Sequence, residues 1–165
     1  MFIGGRSGAG KTSVGFEMHA QLSAADISHC LIDGDFLDMA HPPPWEHNLA
    51  ERNLSAMSAN YQALGYHRMI YINTVSVLPD QITRLATAIG GNPNVVAVLL
   101  TCTDTTAAER LSHREIGSTL DQHLASNADM GTRLQVGATA SAHHIPTDDR
   151  AVADIAAEII RLTRW

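Results

Sequence analysis

The sequence predicts an α/β fold in three layers: a doubly wound, parallel five-stranded sheet with helices on both faces and a helical lid. Three observations predict it. Apolar runs alternate with helical patterns along the 165 residues, the order that builds a parallel sheet. Several of those runs are continuous, Val95-Val96-Ala97-Val98-Leu99-Leu100 most clearly, as strands covered on both faces must be. A glycine-rich turn joins the first apolar run to the first helical pattern, a strand–loop–helix junction suited to anions. The length fits one domain, residues 1–165, with the lid at about 110–136.

The first strand, over residues 1–4, is short; either the strand itself is brief or the true start lies upstream. Gly5-Arg6-Ser7-Gly8-Ala9-Gly10-Lys11-Thr12 then matches G-x-x-x-x-G-K-[ST] at every fixed position, with Ser13 following. Glycines let backbone N–H groups turn inward, and the helix over residues 11–24 aims its positive end at the same point. In such a Walker A loop the lysine meets the β- and γ-phosphates and the threonine hydroxyl meets Mg²⁺. Lys11 is the single lysine among 11 basic residues. The motif starts so early that no secretory leader is expected, which points to the cytoplasm.

The second strand, over residues 29–32, runs into Asp33-Gly34-Asp35-Phe36-Leu37. Ligands in doubly wound sheets sit at the carboxyl ends of the strands. There the two carboxylates could hold Mg²⁺ and take a proton from an attacking hydroxyl. His41-Pro42-Pro43-Pro44-Trp45 follows as a rigid, extended wall; Trp45 either stacks on a substrate or packs under the loop. A helix is expected over residues 45–64 and a strand over 69–73. That strand ends in Asn73-Thr74, which supplies no metal carboxylate, so the metal falls to Thr12 with Asp33 or Asp35.

A helix over residues 79–89 leads to the fourth strand, 95–101, and Asp104 reads as the N-cap of a helix over 105–115. On that helix Arg110 and Arg114 share a face, facing either the phosphates or solvent and Glu109 or Glu115. A further helix is expected at about 118–136, carrying Arg133, then a strand over 142–145 and a last helix over 150–163. Asp148 or Asp149 either borders a nucleotide base or caps that last helix.

The phosphate loop together with Asp33-Gly34-Asp35-Phe36-Leu37 resembles the small P-loop kinases, notably the gluconate kinase and adenylylsulfate kinase families. The resemblance implies a P-loop NTPase fold and transfer of the γ-phosphoryl group of ATP, with Mg²⁺, to a small-molecule acceptor. It assigns Gly5, Arg6, Ser7, Gly8, Ala9, Gly10, Lys11, Thr12 and Ser13 to the nucleotide, Thr12 and Asp33 to the metal, and Asp33, Asp35, Trp45 and Arg52 to the acceptor. Lys11, Asp35 and the lid arginines Arg110 and Arg114 would be catalytic. Arg52-Asn53 echoes a substrate-binding pair of adenylylsulfate kinases. Gluconate kinases carry a histidine where this chain has Asp38, so the sugar-acid substrate is not inherited.

Charge and composition narrow the rest. Seventeen acidic residues against 11 basic give a formal charge of −6, unlike a nucleic-acid binder. No apolar run approaches a membrane span. Cys30 and Cys102 read as buried thiols, and the nine histidines show no zinc-ligand spacing. The expected partners are a nucleoside triphosphate and an unidentified small acceptor, with the chain a monomer or homodimer. The alternative is a regulatory nucleotide-binding ATPase with no acceptor. A switch GTPase is excluded, because its guanine-reading motif needs a second lysine.

Overall fold

The computed structural model of the chain describes residues 1–113 and 120–165, and the side chains of these apart from residues 120–125. Five strands form one sheet: β1 (Phe2–Gly4), β2 (Cys30–Asp33), β3 (Met69–Ile72), β4 (Ala97–Thr101) and β5 (His143–Pro146). Every pairing is parallel and the order is β2-β3-β1-β4-β5. Phe2 stands opposite Tyr71 on one side and Ala97 on the other, so β1 is central.

Successive side chains of a strand point to opposite faces, and here both faces are buried. Ile3, Ile70, Ile72, Val98 and Leu100 pack under α1 (Lys11–Ala24) and α6 (Val152–Thr163). Phe2 and Tyr71, offset by one residue, pack with Leu54 and Leu85 from α2 (Leu49–Ala63) and α3 (Pro79–Ile89). Ala97 and Leu99 meet Val77 and Leu134, the latter from α5 (Leu120–Gly137). This two-sided burial makes the apolar run of the fourth strand continuous.

The expected elements are all present, with displaced ends. Strand β4 starts at Ala97 rather than at residue 95, and α4 is Asp104–Ser112. The helix expected over 45–64 is broken: Trp45–His47 is a 3₁₀ turn, and Asn48 enters the left-handed region at φ 48° before α2 begins. Asparagine tolerates that conformation. The edge strand β5 ends on Pro146, where a missing N–H costs little. His143 and His144 are both exposed. Cys30 is buried as expected, whereas Cys102 is half-buried.

Two capping expectations fail. Thr103, not Asp104, caps α4, its hydroxyl accepting from the Thr106 N–H. Asp104 is instead drawn to the buried Arg6, 2.5 Å away, because a buried guanidinium requires a counter-charge. Asp148 and Asp149 do not cap α6, whose N-cap is Ala151. Asp148 instead accepts from the N–H and hydroxyl of Thr103, each at 3.0 Å, tying the β5 loop to the start of α4.

Candidate active site

The sheet order sets the geometry of the site. The loop after β1 leaves the middle of the sheet, with the ends of β2 and β3 on one side and those of β4 and β5 on the other. Within that loop Gly8 has φ +80°, and a Cβ there would lie 2.8 Å from the carbonyl oxygen of Ala107 on α4. Only glycine accommodates both the conformation and the contact. Gly10 ends the loop as the N-cap of α1, so the unpaired N–H groups of the first helical turn face the loop. Gly5, Arg6, Gly8, Ala9 and Lys11 are buried, Gly10 and Thr12 half-buried, and Ser7 and Ser13 exposed.

Lys11 folds over the loop and its Nζ donates to the carbonyl of Arg6 at 3.2 Å. The Thr12 hydroxyl lies 3.5 Å from Asp33 Oδ2. A hydroxyl and a carboxylate at the loop are hard oxygen donors of the kind Mg²⁺ takes, so the residues fit that ion. Asp33 uses its other oxygen to accept from the Asp35 N–H at 3.1 Å, which fixes the turn after β2. Gly34 is required between them: a Cβ there would lie 2.3 Å from the Tyr71 hydroxyl oxygen.

Asp35 is the chemically distinctive group. Asn73, at the end of β3, donates to its Oδ1 at 2.9 Å. Partial burial of the carboxyl, then the neighbouring charge of Asp33, push its pKa up, while Lys11 and the Asn73 hydrogen bond act against them. The net rise makes Asp35 a stronger base than an ordinary aspartate. Beside it opens a cavity of about 300 Å³ between β3, α2 and α3, lined by Gly34, Asp38, Trp45, Tyr71, Asn73 and Arg84 among others. Asn73 joins the two, reaching Asp35 and lining the cavity.

Other expected residues fall elsewhere. Trp45 is 75% exposed at the cavity rim, so it does not pack under the loop. Arg52 is exposed and lines not the cavity itself but a surface groove that adjoins it across Asn48, Glu51 and Arg84. Asn53 is a strut whose Nδ2 donates to the Leu37 carbonyl at 2.6 Å. Arg110 is not poised as a lid cation: it donates to the carbonyl of Gly8 and to the hydroxyl and carbonyl of Thr147. It braces the phosphate loop against the β5 loop. Arg114 lies outside the described residues, and Arg133 is exposed on α5.

The segment 110–136, expected as a lid, contains buried positions. Leu111 and Leu134 are both core residues, and the buried Asn127 donates to the Ser7 carbonyl at 3.0 Å. The second half of α5 therefore belongs to the body of the protein. Asn73, Asn127, Glu51 and Arg84 have no motif to announce them. Of these, only Asn73 carried a positional signal, its place at the end of a central strand.

No family model and no curated protein matches the sequence. Solved structures do match along its length. A gluconokinase from Sinorhizobium meliloti aligns over 99% of this chain and 90% of its own, with 21% identity and a TM-score of 0.61. The APS kinase of Mycobacterium tuberculosis, solved with AMPPNP and APS, covers 99% and 97% at 15% identity and a TM-score of 0.55. A tunicamycin resistance protein from Deinococcus radiodurans covers 99% and 94% at 13% identity and a TM-score of 0.67. The fold is that of the small P-loop kinases, with the five-stranded parallel sheet that the sequence predicts.

Proposed function

We propose that the chain is an ATP-dependent phosphotransferase that moves the γ-phosphoryl group to a hydroxyl of a small molecule. The observation that carries this reading is the placement of Asp35. A carboxylate with a raised pKa stands between the phosphate loop and a cavity large enough for a small acceptor. A regulatory ATPase needs the loop but has no use for that cavity.

The triphosphate would lie on the N–H groups of the loop, at the positive end of α1. Lys11 would exchange the Arg6 carbonyl for phosphate oxygens. Its compact charge suits the β- and γ-phosphates. Thr12 and Asp33 would hold Mg²⁺, which supplies charge neutralisation at the phosphates. Arg110, clamped between Gly8 and Thr147, walls the β4–β5 side of the loop, where the nucleoside would rest. The γ-phosphoryl end then faces the β2–β3 side. There the acceptor hydroxyl attacks phosphorus, its proton passes to Asp35, and ADP leaves with the electrons of the broken P–O bond. Asn73 holds the carboxylate in line throughout. The reading is tested by ADP release in the presence and absence of acceptor alcohols. Lys11→Ala is expected to abolish acceptor-dependent release; undiminished release in that variant would refute the assignment.

A further inference from the structure

The charges around the acceptor cavity are unbalanced in a way that bears on what it admits. The charged side chains lining it are Asp38, Glu51 and Arg84. Arg84, the cation of the set, is already engaged: it pairs with Glu51 and donates to Asn48 Oδ1 at 3.3 Å. Asp35, which accepts from the cavity-lining Asn73, adds a carboxylate beside the cavity. Tyr71, in the cavity lining, registers the sum. Burial raises its phenol first, and the charges among the described residues that act on it further, Asp35, Glu51, Asp38 and Asp33, all raise it. The outer rim is different in kind, since Trp45 presents an exposed indole there.

We propose that the acceptor is an uncharged or cationic alcohol with an apolar or planar part, and not a carboxylate, sulfate or phosphate ester. The assignment rests on the phosphotransferase reading. An anionic acceptor would meet Asp38 and Asp35, while Arg84, the cation among the described lining residues, is held by Glu51, and like charges brought together at a site oppose binding. An amine or a neutral hydroxyl group instead finds carboxylate oxygens to donate to, those of Asp38 and Asp35. The indole face of Trp45 would cover an apolar portion or a nearby cation.

The test measures ATP-dependent ADP release with three sets of alcohols. One set is cationic (amino sugars and aminocyclitols), one uncharged (nucleosides and neutral glycosides), one anionic (gluconate, shikimate and adenylylsulfate). The best uncharged or cationic acceptor is expected to exceed the best anionic one at least tenfold in kcat/KM, with Trp45→Ala raising KM more than it lowers kcat. Glu51→Gln, which releases Arg84, is expected to narrow that preference. An anionic acceptor preferred by the unaltered protein would overturn the assignment and leave the phosphotransferase reading standing. ADP release that no set raises above the ATP-only rate would overturn both. Quenching of Trp45 fluorescence, in a Trp165→Phe background, decides the cavity's potential without any acceptor. With each ion scaled to its quenching of free N-acetyltryptophanamide, caesium is expected to quench more efficiently than iodide, with the difference reduced by Glu51→Gln and unaltered by the remote Asp26→Asn. Quenching that Glu51→Gln leaves unmoved would overturn the assignment.

Discussion

Asp35 must be ionised to accept a proton, yet it shares a turn with Asp33 and is partly withdrawn from water. Both circumstances favour its protonated form. Turnover should therefore fall as pH drops through a pKa raised above that of an ordinary aspartate. Two substitutions move that acid limb in opposite directions. Asn73→Ala removes a hydrogen bond to the ionised form, so the limb shifts to higher pH. Asp33→Asn removes a like charge, so it shifts to lower pH. A pH–rate profile of each variant checks the signs. At neutral pH, Asp35→Asn should lower kcat about 10²–10⁴-fold while ATP affinity, measured by calorimetry, changes little. The carboxylate pair was legible in the sequence because a motif carries it. Asn73 was not, because a single neutral side chain at a strand end is indistinguishable from a turn residue until β2 and β3 are seen in register.

At the scale of elements, burial marks which helices belong to the core. The helical pattern of residues 118–136 suggested a lid, and helical periodicity alone cannot tell a lid from a core helix. The structure decides through Leu134, packed on Ala97 and Leu99, and through Asn127 on the Ser7 carbonyl. Leu134→Ala should cost about 2–5 kcal/mol of stability, the usual range for a leucine lost from a core; a fall in Tm without a change in KM for ATP checks it. Amide exchange supplies a second measure. Residues 127–137 should be protected without nucleotide, as core helices are. The α4 cap illustrates the same limit of sequence reasoning. Asp104 has the right chemistry and position for an N-cap, but Arg6, remote in sequence, competes for it and leaves Thr103 to cap the helix. Only tertiary contact reveals such a competitor.

For the whole molecule, the sheet order is what would let one small domain hold two ligands end to end. Strand β1 is central, so its loop has β4 and β5 on one side, where the proposed function puts the nucleoside, and β2 and β3 on the other, where it puts the acceptor. Parallel strands buried on both faces made the middle of the sheet readable, β4 above all, since it announces itself as a continuous apolar run. The cavity beside Asp35 was not readable: its lining comes from the turn after β2 and from β3, α2 and α3, brought together only by the crossovers between them. The central claim is that Asp35 couples the phosphate loop to that cavity. The most direct measurement is steady-state ADP release by the unaltered protein and by Asp35→Asn, each with and without a hydroxyl acceptor. Acceptor should stimulate release by the unaltered protein, and Asp35→Asn should remove the stimulation while retaining ATP binding and the slow acceptor-free hydrolysis. Stimulation that survives intact in Asp35→Asn would contradict the account.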